Sequence, residues 1–243
     1  MKHLVLALLV FWLASLNATF AAEPDGDKCD AAETELASAI AIADTSSSVR
    51  RHNMLVEHLP PSADVVFLGD SIVQLWPQDL IESTFDGMSV LNLGVGRDKI
   101  RNVRFRLHDA RVSLSKIHPR YVISLVGTND LGLHERPCVR DMQYQALSAD
   151  IREIWPDARQ VMVGILPRGP GLKSYTDERA QADAAMHRAL EHEPRSFYVN
   201  LDSFISCESE TSCASFRPDM VHPSRLGFIG LSNGLKKFIQ SIK

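Results

Sequence analysis

The chain has 243 residues, of which 45% are hydrophobic and 23% charged, with 30 acidic residues against 26 basic ones and a formal net charge of −4. This apolar content excludes a disordered chain, and the mildly acidic balance argues against nucleic-acid binding, which needs clustered Lys and Arg. The length suits one α/β domain with a substantial core.

The N-terminus has the pattern of an export signal. A short basic start precedes an apolar run over residues 4–16, and small residues follow it. Because this run is shorter than the roughly 20 residues that cross a bilayer, the pattern predicts a signal peptide over residues 1–21, cleaved near Ala21 or Ala22. A retained anchor is the alternative. After cleavage we expect a secreted or periplasmic protein without stable membrane insertion.

Export would place all four cysteines in an oxidising compartment. Cys29, Cys138, Cys207 and Cys213 form an even set, for which structural disulfides are the favoured interpretation and four buried thiols the alternative. Three pairings are possible; in one of them Cys207 and Cys213 close a small polar loop and Cys29 pairs with Cys138. The spacing matches no Cys-x-x-Cys zinc pattern, so we expect no metal.

An N-terminal helical segment, residues 22–61, precedes the main domain, residues 62–243. Its apolar spacing predicts helix over residues 31–57, ending before a pair of prolines. The polar run at residues 45–48 is a candidate break that would divide the helix in two.

Five short apolar runs then alternate with longer segments of helical period. They cover residues 64–68, 88–93, 121–126, 160–166 and 197–201. The last helical segment covers residues 226–242, with Ser224 as its candidate N-cap. Strands separated by helices indicate βαβ units. The sequence therefore predicts an α/β fold, a three-layer α/β/α sandwich of flavodoxin-like type with a mainly parallel five-stranded sheet.

Polar and glycine-rich residues follow the first three predicted strands, where an open parallel sheet forms its sites. They lie at residues 69–72, which contain a serine; at 94–98, which form a glycine turn; and at 127–130, which contain an asparagine. An Asp-x-x-His pattern at 219–222 directly precedes the last helix. Together these are the components of a nucleophilic acyl-transfer site.

Ser71, His222 and Asp219 are the candidate catalytic residues. A serine hydroxyl becomes a good nucleophile only when a neighbouring base accepts its proton, which His222 can do. Asp219 can accept the other ring N–H of the histidine and fix its tautomer.

An ester carbonyl under attack also needs donors for the charge that develops on its oxygen. Losing one such donor typically lowers the rate by about 10²–10³. The candidate donors are the backbone N–H of Ser71, a backbone N–H in the turn of Gly96 and Arg97, and the side-chain amide of Asn129.

Other polar residues have simpler interpretations. Asp70 is read as a structural turn residue, Asp130 as a helix cap, and the histidines besides His222 as surface residues. The glycine turn at 94–96 lacks the third glycine of a dinucleotide fingerprint, and no Walker loop occurs. We therefore expect no cofactor.

The motifs at 69–71, 92–96, 127–130 and 219–222 resemble, in order, the four blocks of the SGNH (GDSL-type) esterase/lipase superfamily, over about residues 62–230. Residues 97–107 and 166–169 resemble the branch around the platelet-activating-factor acetylhydrolase catalytic subunits. The resemblance implies a flavodoxin-like hydrolase without a cofactor, a Ser71–His222–Asp219 triad, and an oxyanion hole from Ser71, the glycine turn and Asn129.

Arg97 departs from that pattern, since relatives often have a second glycine at this position. Its backbone N–H can still donate, but its conformation is more constrained. Two hypotheses follow: Arg97 binds an anionic substrate, or it is a solvated turn residue, the interpretation we favour.

The sequence as a whole predicts an exported serine hydrolase that cleaves carboxylic esters through an acyl-enzyme. Short acyl groups, acetyl in particular, are what the resemblance to the acetylhydrolase branch implies. The expected partner is a small-molecule or glycan ester, with no nucleic acid. The alternatives are a polysaccharide O-deacetylase of the same fold and a non-catalytic acyl-binding module.

Overall fold

The computed structural model describes residues 28–42, 45–205, 207 and 213–242. The predicted signal peptide lies outside these residues. Five parallel strands form one sheet in the order β2-β1-β3-β4-β5. The strands are β1 (Val65–Gly69), β2 (Val90–Asn92), β3 (Tyr121–Leu125), β4 (Arg159–Val163) and β5 (Ser196–Val199).

Helices connect the strands and precede the sheet. They are α1 (Ala31–Ser38), α2 (Ser46–Glu57), α3 (Ser71–Gln74), α4 (Gln78–Thr84), α5 (Ile100–Asp109), α6 (Arg111–Leu114), α7 (Pro137–Ile154), α8 (Thr176–Leu190) and α9 (Arg225–Ser241). Short 3₁₀ turns lie at Leu131–Leu133, Pro170–Leu172 and Asp202–Phe204. Among the described residues, no helix has the length and apolar content needed to cross a membrane.

The sheet is covered on both faces because its central strands are apolar on both sides. In β1, Val66 and Leu68 pack with α5, α6, α7 and α8. Val65 and Phe67 face the opposite side and pack with α3, α4 and α9. This confirms the predicted three-layer flavodoxin-like sandwich, whose parallel strands are apolar throughout since both faces are buried.

Local sequence signals place the helix boundaries. Thr45 ends the extended chain before α2, and its Oγ1 accepts the N–H of Ser48 at 3.2 Å. The predicted N-terminal helix is therefore two helices, as the polar run indicated. Ser224 caps α9, as predicted, by accepting the N–H of Gly227 at 3.3 Å.

Two disulfides are present. Cys29 pairs with Cys138, which ties the residue before α1 to the start of α7. Cys207 pairs with Cys213. The structure thus selects the pairing that joins the N-terminal segment to the main domain.

The strand order also locates the site. The chain moves from β1 to the edge strand β2 and then returns to place β3 on the other side of β1. Such a reversal leaves a crevice between the carboxyl ends of β1 and β3, because the two connections leave on opposite faces. Ser71 follows β1, and Asn129 lies four residues beyond the end of β3.

Candidate active site

Ser71 is the first residue of α3, directly after β1. The preceding Asp70 is buried, and one of its carboxylate oxygens caps the helix by accepting the Ile72 N–H at 2.8 Å. Burial raises the pKa of Asp70 to about 7, although the Ile72 hydrogen bond acts in the opposite direction. Asp70 is thus the structural residue that the sequence indicated, and it fixes where the serine emerges from the sheet.

The structure brings Ser71, His222 and Asp219 into one chain of hydrogen bonds. Ser71 Oγ and His222 Nε2 are 2.8 Å apart. On the other side of the ring, His222 Nδ1 lies 2.8 Å from Asp219 Oδ2. The serine and the histidine are 151 positions apart in the sequence, so only the folded chain places a base at the serine hydroxyl.

Asp219 is held as a carboxylate by the loop that it begins. Its Oδ1 accepts the backbone N–H groups of Val221 and His222, both at 2.9 Å. Desolvation alone would raise the pKa of Asp219, but the hydrogen bonds from the backbone and ring of His222 outweigh it and bring the pKa to about 2. An ionised Asp219 favours the His222 tautomer that leaves Nε2 free to accept a proton.

Several backbone contacts support this loop. Arg217 N–H donates to His222 O at 2.8 Å, and a bridge joins Phe216 to Pro223. Gly169 N–H donates to Met220 O at 2.7 Å, which connects the loop to the 166–169 turn. These contacts fix the position of the histidine relative to the sheet.

The turn after β2 lies against Ser71. A Cβ at Gly96 would be 3.8 Å from Ser71 Cβ, so the backbone passes close to the serine. The Gly96 N–H donates to Gln74 Oε1 at 2.6 Å. The N–H of Arg97, the other predicted donor of the turn, has no acceptor within the part of the chain that the structure describes.

Arg97 adopts the left-handed conformation, with φ 68°. Glycine adopts this conformation without a steric penalty, whereas an arginine in this region is strained by roughly 1–2 kcal/mol. The resemblance in sequence indicated that the backbone of Arg97 is conformationally constrained, and the φ angle of 68° agrees with this. The side chain is exposed and lines the cleft that contains Ser71.

Asn129 is oriented toward the same turn. Its Nδ2 donates to the backbone O of Asp98 at 2.9 Å, which leaves the second amide hydrogen for another acceptor. Asp98 is itself buried and bound by both Nε and Nη2 of Arg106. The turn and the asparagine are therefore fixed relative to each other before any substrate binds.

Asp130 is a helix cap, as the sequence indicated, but it caps a helix that precedes it in the chain. Its carboxylate accepts the N–H of Ile100, at the start of α5, at 3.3–3.4 Å. Burial raises the pKa of Asp130 to about 7. This hydrogen bond anchors the N-terminus of α5 to the segment after β3.

The surface prediction is wrong for one histidine. His52 on α2 is buried, and its Nε2 is 2.8 Å from Asp109 Oδ2. The helix carries this side chain inward because α2 packs onto the face of the sheet that holds α5. The contact with Asp109 attaches α2 to the end of α5.

Three further residues contribute to the site that the sequence did not identify. Gln74 lies three positions after Ser71 and so shares its helix face, a signal that helical spacing could have given. Ser48 Oγ donates to Gly96 O at 2.9 Å, and Arg51 Nε donates to Gly94 O at 2.7 Å. No sequence signal connects these two residues of α2 with a turn more than forty positions away.

A cleft of about 340 Å³ joins these elements. Its lining residues are Ser47, Ser48, Arg51, Ser71, Gln74, Leu75, Val95, Gly96, Arg97 and His222. The candidate nucleophile and base therefore open onto one shared cavity, with α2 as one of its walls.

The fold and the site together define a hydrolase with a flavodoxin-like α/β/α sandwich and a Ser–His–Asp arrangement at the crevice between β1 and β3. Residues 67–228, more than half of the chain, match the GDSL-like Lipase/Acylhydrolase family, and the chain belongs to that family. The match begins inside β1, so α1 and α2 precede it.

Relatives and solved structures agree with this assignment. Human platelet-activating factor acetylhydrolase IB subunit alpha1 is 29% identical over 189 residues, which cover 77% of this chain and 80% of that protein. A GDSL-like lipase from Bacteroides thetaiotaomicron has a TM-score of 0.60 at 16% identity and covers 80% of this chain and 98% of its own.

A catalytic mutant of Axe2, an acetylxylan esterase from Geobacillus stearothermophilus, has a TM-score of 0.57 at 17% identity, covering 73% of this chain and 94% of its own. At this identity the solved structures establish the fold alone. The family match and the curated relative identify an SGNH-type ester hydrolase with a relationship to the platelet-activating factor acetylhydrolase subunits.

Proposed function

We propose that this protein is an exported serine hydrolase that cleaves carboxylic esters of short acyl groups, above all acetyl, through an acyl-enzyme. The observation that carries the proposal is the hydrogen-bonded series Ser71–His222–Asp219, with 2.8 Å at both contacts. A nucleophile, a base and an orienting carboxylate at hydrogen-bond distance are what the reaction requires.

In the first half-reaction, Ser71 Oγ attacks the ester carbonyl carbon while its proton passes to His222 Nε2. Asp219, ionised because its pKa is about 2, stabilises the imidazolium that forms. The C–O bond to the alcohol then breaks, and His222 gives its proton to the departing alcohol oxygen. The acyl group remains on Ser71.

In the second half-reaction, water repeats these steps in place of the serine. His222 accepts a proton from the water as its oxygen attacks the acyl carbonyl. Collapse of the intermediate breaks the bond to Ser71 Oγ, which recovers its proton from His222, and the carboxylic acid leaves. One ester and one water thus yield one acid and one alcohol.

Hydrogen-bond donors that are fixed in place before the reaction would stabilise the oxyanion as it develops. Ser71 N–H and the second amide hydrogen of Asn129 are candidates, since neither is used by an acceptor among the described residues. Of the two turn donors, Arg97 N–H is open, whereas Gly96 N–H donates to Gln74 and must exchange partners to contribute. Fixed donors of this kind supply much of the rate enhancement.

The preference for short acyl groups is supported by the character of the cleft. Of the described residues that line it, two are hydrophobic, Leu75 and the fully buried Val95. A long acyl chain would need a larger apolar surface to leave water, at about 25 cal/mol per Å². The relationship to acetylhydrolase subunits supports the same choice.

Export is supported by the two disulfides, because such bonds persist in oxidising compartments. Within this proposal, residues 1–21 are a signal peptide, residues 22–61 a helical segment and residues 62–243 the hydrolase domain. The mature protein is then secreted or periplasmic.

Covalent labelling with a fluorophosphonate probe tests the catalytic assignment. Wild type is expected to be labelled and to hydrolyse p-nitrophenyl acetate, whereas Ser71→Ala should do neither. Ser83→Ala, which removes an exposed hydroxyl on α4, is the matched control. If the folded wild type resists labelling, the protein is an acyl-binding module and the proposal is wrong.

A polysaccharide O-deacetylase is the second candidate. The observation that favours it is the fold shared with the acetylxylan esterase Axe2. A chain-length series of p-nitrophenyl esters, followed by acetylated glycans, separates the two. Acetate release from glycans at a higher kcat/KM than from small esters would favour the deacetylase.

A further inference from the structure

Among the described residues, the lining of the cleft carries positive charge without a carboxylate to balance it. None of its ten lining residues is acidic, and two of them, Arg51 and Arg97, are cationic. No carboxylate of the described residues forms an ion pair with either guanidinium. By contrast, the nearby Arg106 is paired with Asp98. The two cations therefore line the same cavity as the nucleophile, and no described carboxylate pairs with them.

The two arginines reach the cleft from different parts of the fold. Arg97 extends from the turn beside Ser71, held in the left-handed region with φ 68°. Arg51 comes from α2, which precedes the residues that match the family. Its Nε donates to Gly94 O at 2.7 Å, which fixes the guanidinium in place.

The environment of Arg51 disfavours a bare cation. Burial lowers the pKa of Arg51, and the charge of Arg106 acts in the same direction. A partly buried guanidinium gains most from a bound anion, because carboxylates and phosphates match its planar set of donors. Ser47, an exposed hydroxyl on the same helix, adds a further donor at the cleft.

We propose that the preferred substrates are esters that carry a second, negatively charged group, a carboxylate or a phosphate, which Arg97 and Arg51 bind while Ser71 attacks the ester. The inference rests on the proposed function of this site. It selects the anionic-substrate hypothesis for Arg97 over the solvated turn residue.

Paired substrates that differ only in charge test the inference. Mono-p-nitrophenyl fumarate against its methyl ester places the carboxylate on the acyl side, and the trans double bond prevents that carboxylate from attacking its own ester. The p-acetoxybenzoate anion against its methyl ester places it on the alcohol side, and p-acetoxyphenyl phosphate substitutes a phosphate. The measured quantity is the ratio of kcat/KM for the anionic member to that for the neutral member.

Arg97→Asn is the informative variant, since asparagine tolerates the left-handed conformation and keeps the backbone N–H. We expect the ratio to fall about five-fold in Arg97→Asn, since that is the contribution to binding that one partly exposed ion pair makes. Arg97→Lys should retain most of the preference. Arg50→Gln, an exposed arginine of α2 outside the cleft lining, should leave the ratio unchanged. High salt should reduce the wild-type ratio.

The outcomes separate this inference from the proposed function. If wild type hydrolyses neutral and anionic esters alike, or if Arg97→Asn lowers both equally, the anionic preference is refuted while the esterase stands. If wild type hydrolyses no ester at all, both fail. A preference confined to the carboxylate or to the phosphate identifies which anion the substrate carries.

Discussion

Replacing Cys29 and Cys138 together by alanine tests how strongly the N-terminal segment is tied to the domain. The bridge joins residues 109 positions apart, so it closes a loop of just under half of the 243-residue chain. In the chain-entropy description of cross-links, a loop of this size stabilises the folded state by about 5 kcal/mol. The other bridge, Cys207 to Cys213, spans only 6 positions and is worth about 2 kcal/mol by the same relation.

Equilibrium unfolding in urea provides the measurement. Wild-type protein comprising residues 22–243, the Cys29→Ala/Cys138→Ala variant and the matched Cys207→Ala/Cys213→Ala variant are compared by far-UV circular dichroism and tryptophan fluorescence. The free energy of unfolding should fall by about 2 to 3 kcal/mol more in the Cys29→Ala/Cys138→Ala variant than in the Cys207→Ala/Cys213→Ala variant. The reason is that the entropy of loop closure grows with the logarithm of loop length. Mass spectrometry under denaturing conditions confirms which bridges are closed in each sample.

Equal losses for the two variants, or a smaller loss for the longer bridge, would refute the loop-entropy argument. Such a result would mean that α1 separates from α7 locally while the rest of the domain stays folded. Proteolysis of the native variant near α1 would identify that behaviour directly, since local opening exposes the chain without global unfolding.

Three further predictions concern the site and its surroundings. Asp219→Asn should lower kcat for p-nitrophenyl acetate by about 10³–10⁴, since the amide no longer selects the productive His222 tautomer. Gly94→Ala should destabilise the protein by about 1–3 kcal/mol in urea unfolding, because its Cβ would lie 2.4 Å from Gln74 N. The pKa values of Asp70 and Asp130 rise to about 7 in the folded protein, above the ordinary carboxyl value. Between about pH 4 and 7 the folded state therefore binds more protons, so the free energy of unfolding should fall as pH rises, by at most about 1.4 kcal/mol per pH unit for each group.

Each of these predictions has a matched control. Asp219→Asn must keep the unfolding midpoint of wild type, and unchanged kcat in a folded variant would contradict the role of Asp219. Gly132→Ala, whose Cβ would meet its nearest neighbour at 3.6 Å, should be nearly neutral. Asp70→Asn should flatten the pH profile; a wild-type profile that is flat or rises over this range contradicts the two raised pKa values.

The sequence alone determined the elements whose signals are local. The alternation of apolar runs with amphipathic segments predicted all five strands, and Ser224 marked the start of the last helix. It also predicted which residues meet at the site, although Ser71 and His222 are far apart in the chain. The structure places Ser71 Oγ 2.8 Å from His222 Nε2, since the carboxyl ends of parallel strands share one edge of the sheet and the loops beyond them converge.

The tertiary structure alone decided how the N-terminal helices meet the domain. Ser48 and Arg51 of α2 contact the 94–96 turn across 48 and 43 positions of sequence. Side chain to backbone contacts of this kind need no particular partner residue, since every turn offers carbonyl and N–H groups. The sequence therefore gave no signal for these contacts. The net charge of −4 over the whole chain also gave no indication of a cleft lined by two arginines. The two arginines line one cleft because the packing of the folded chain places α2 beside the site.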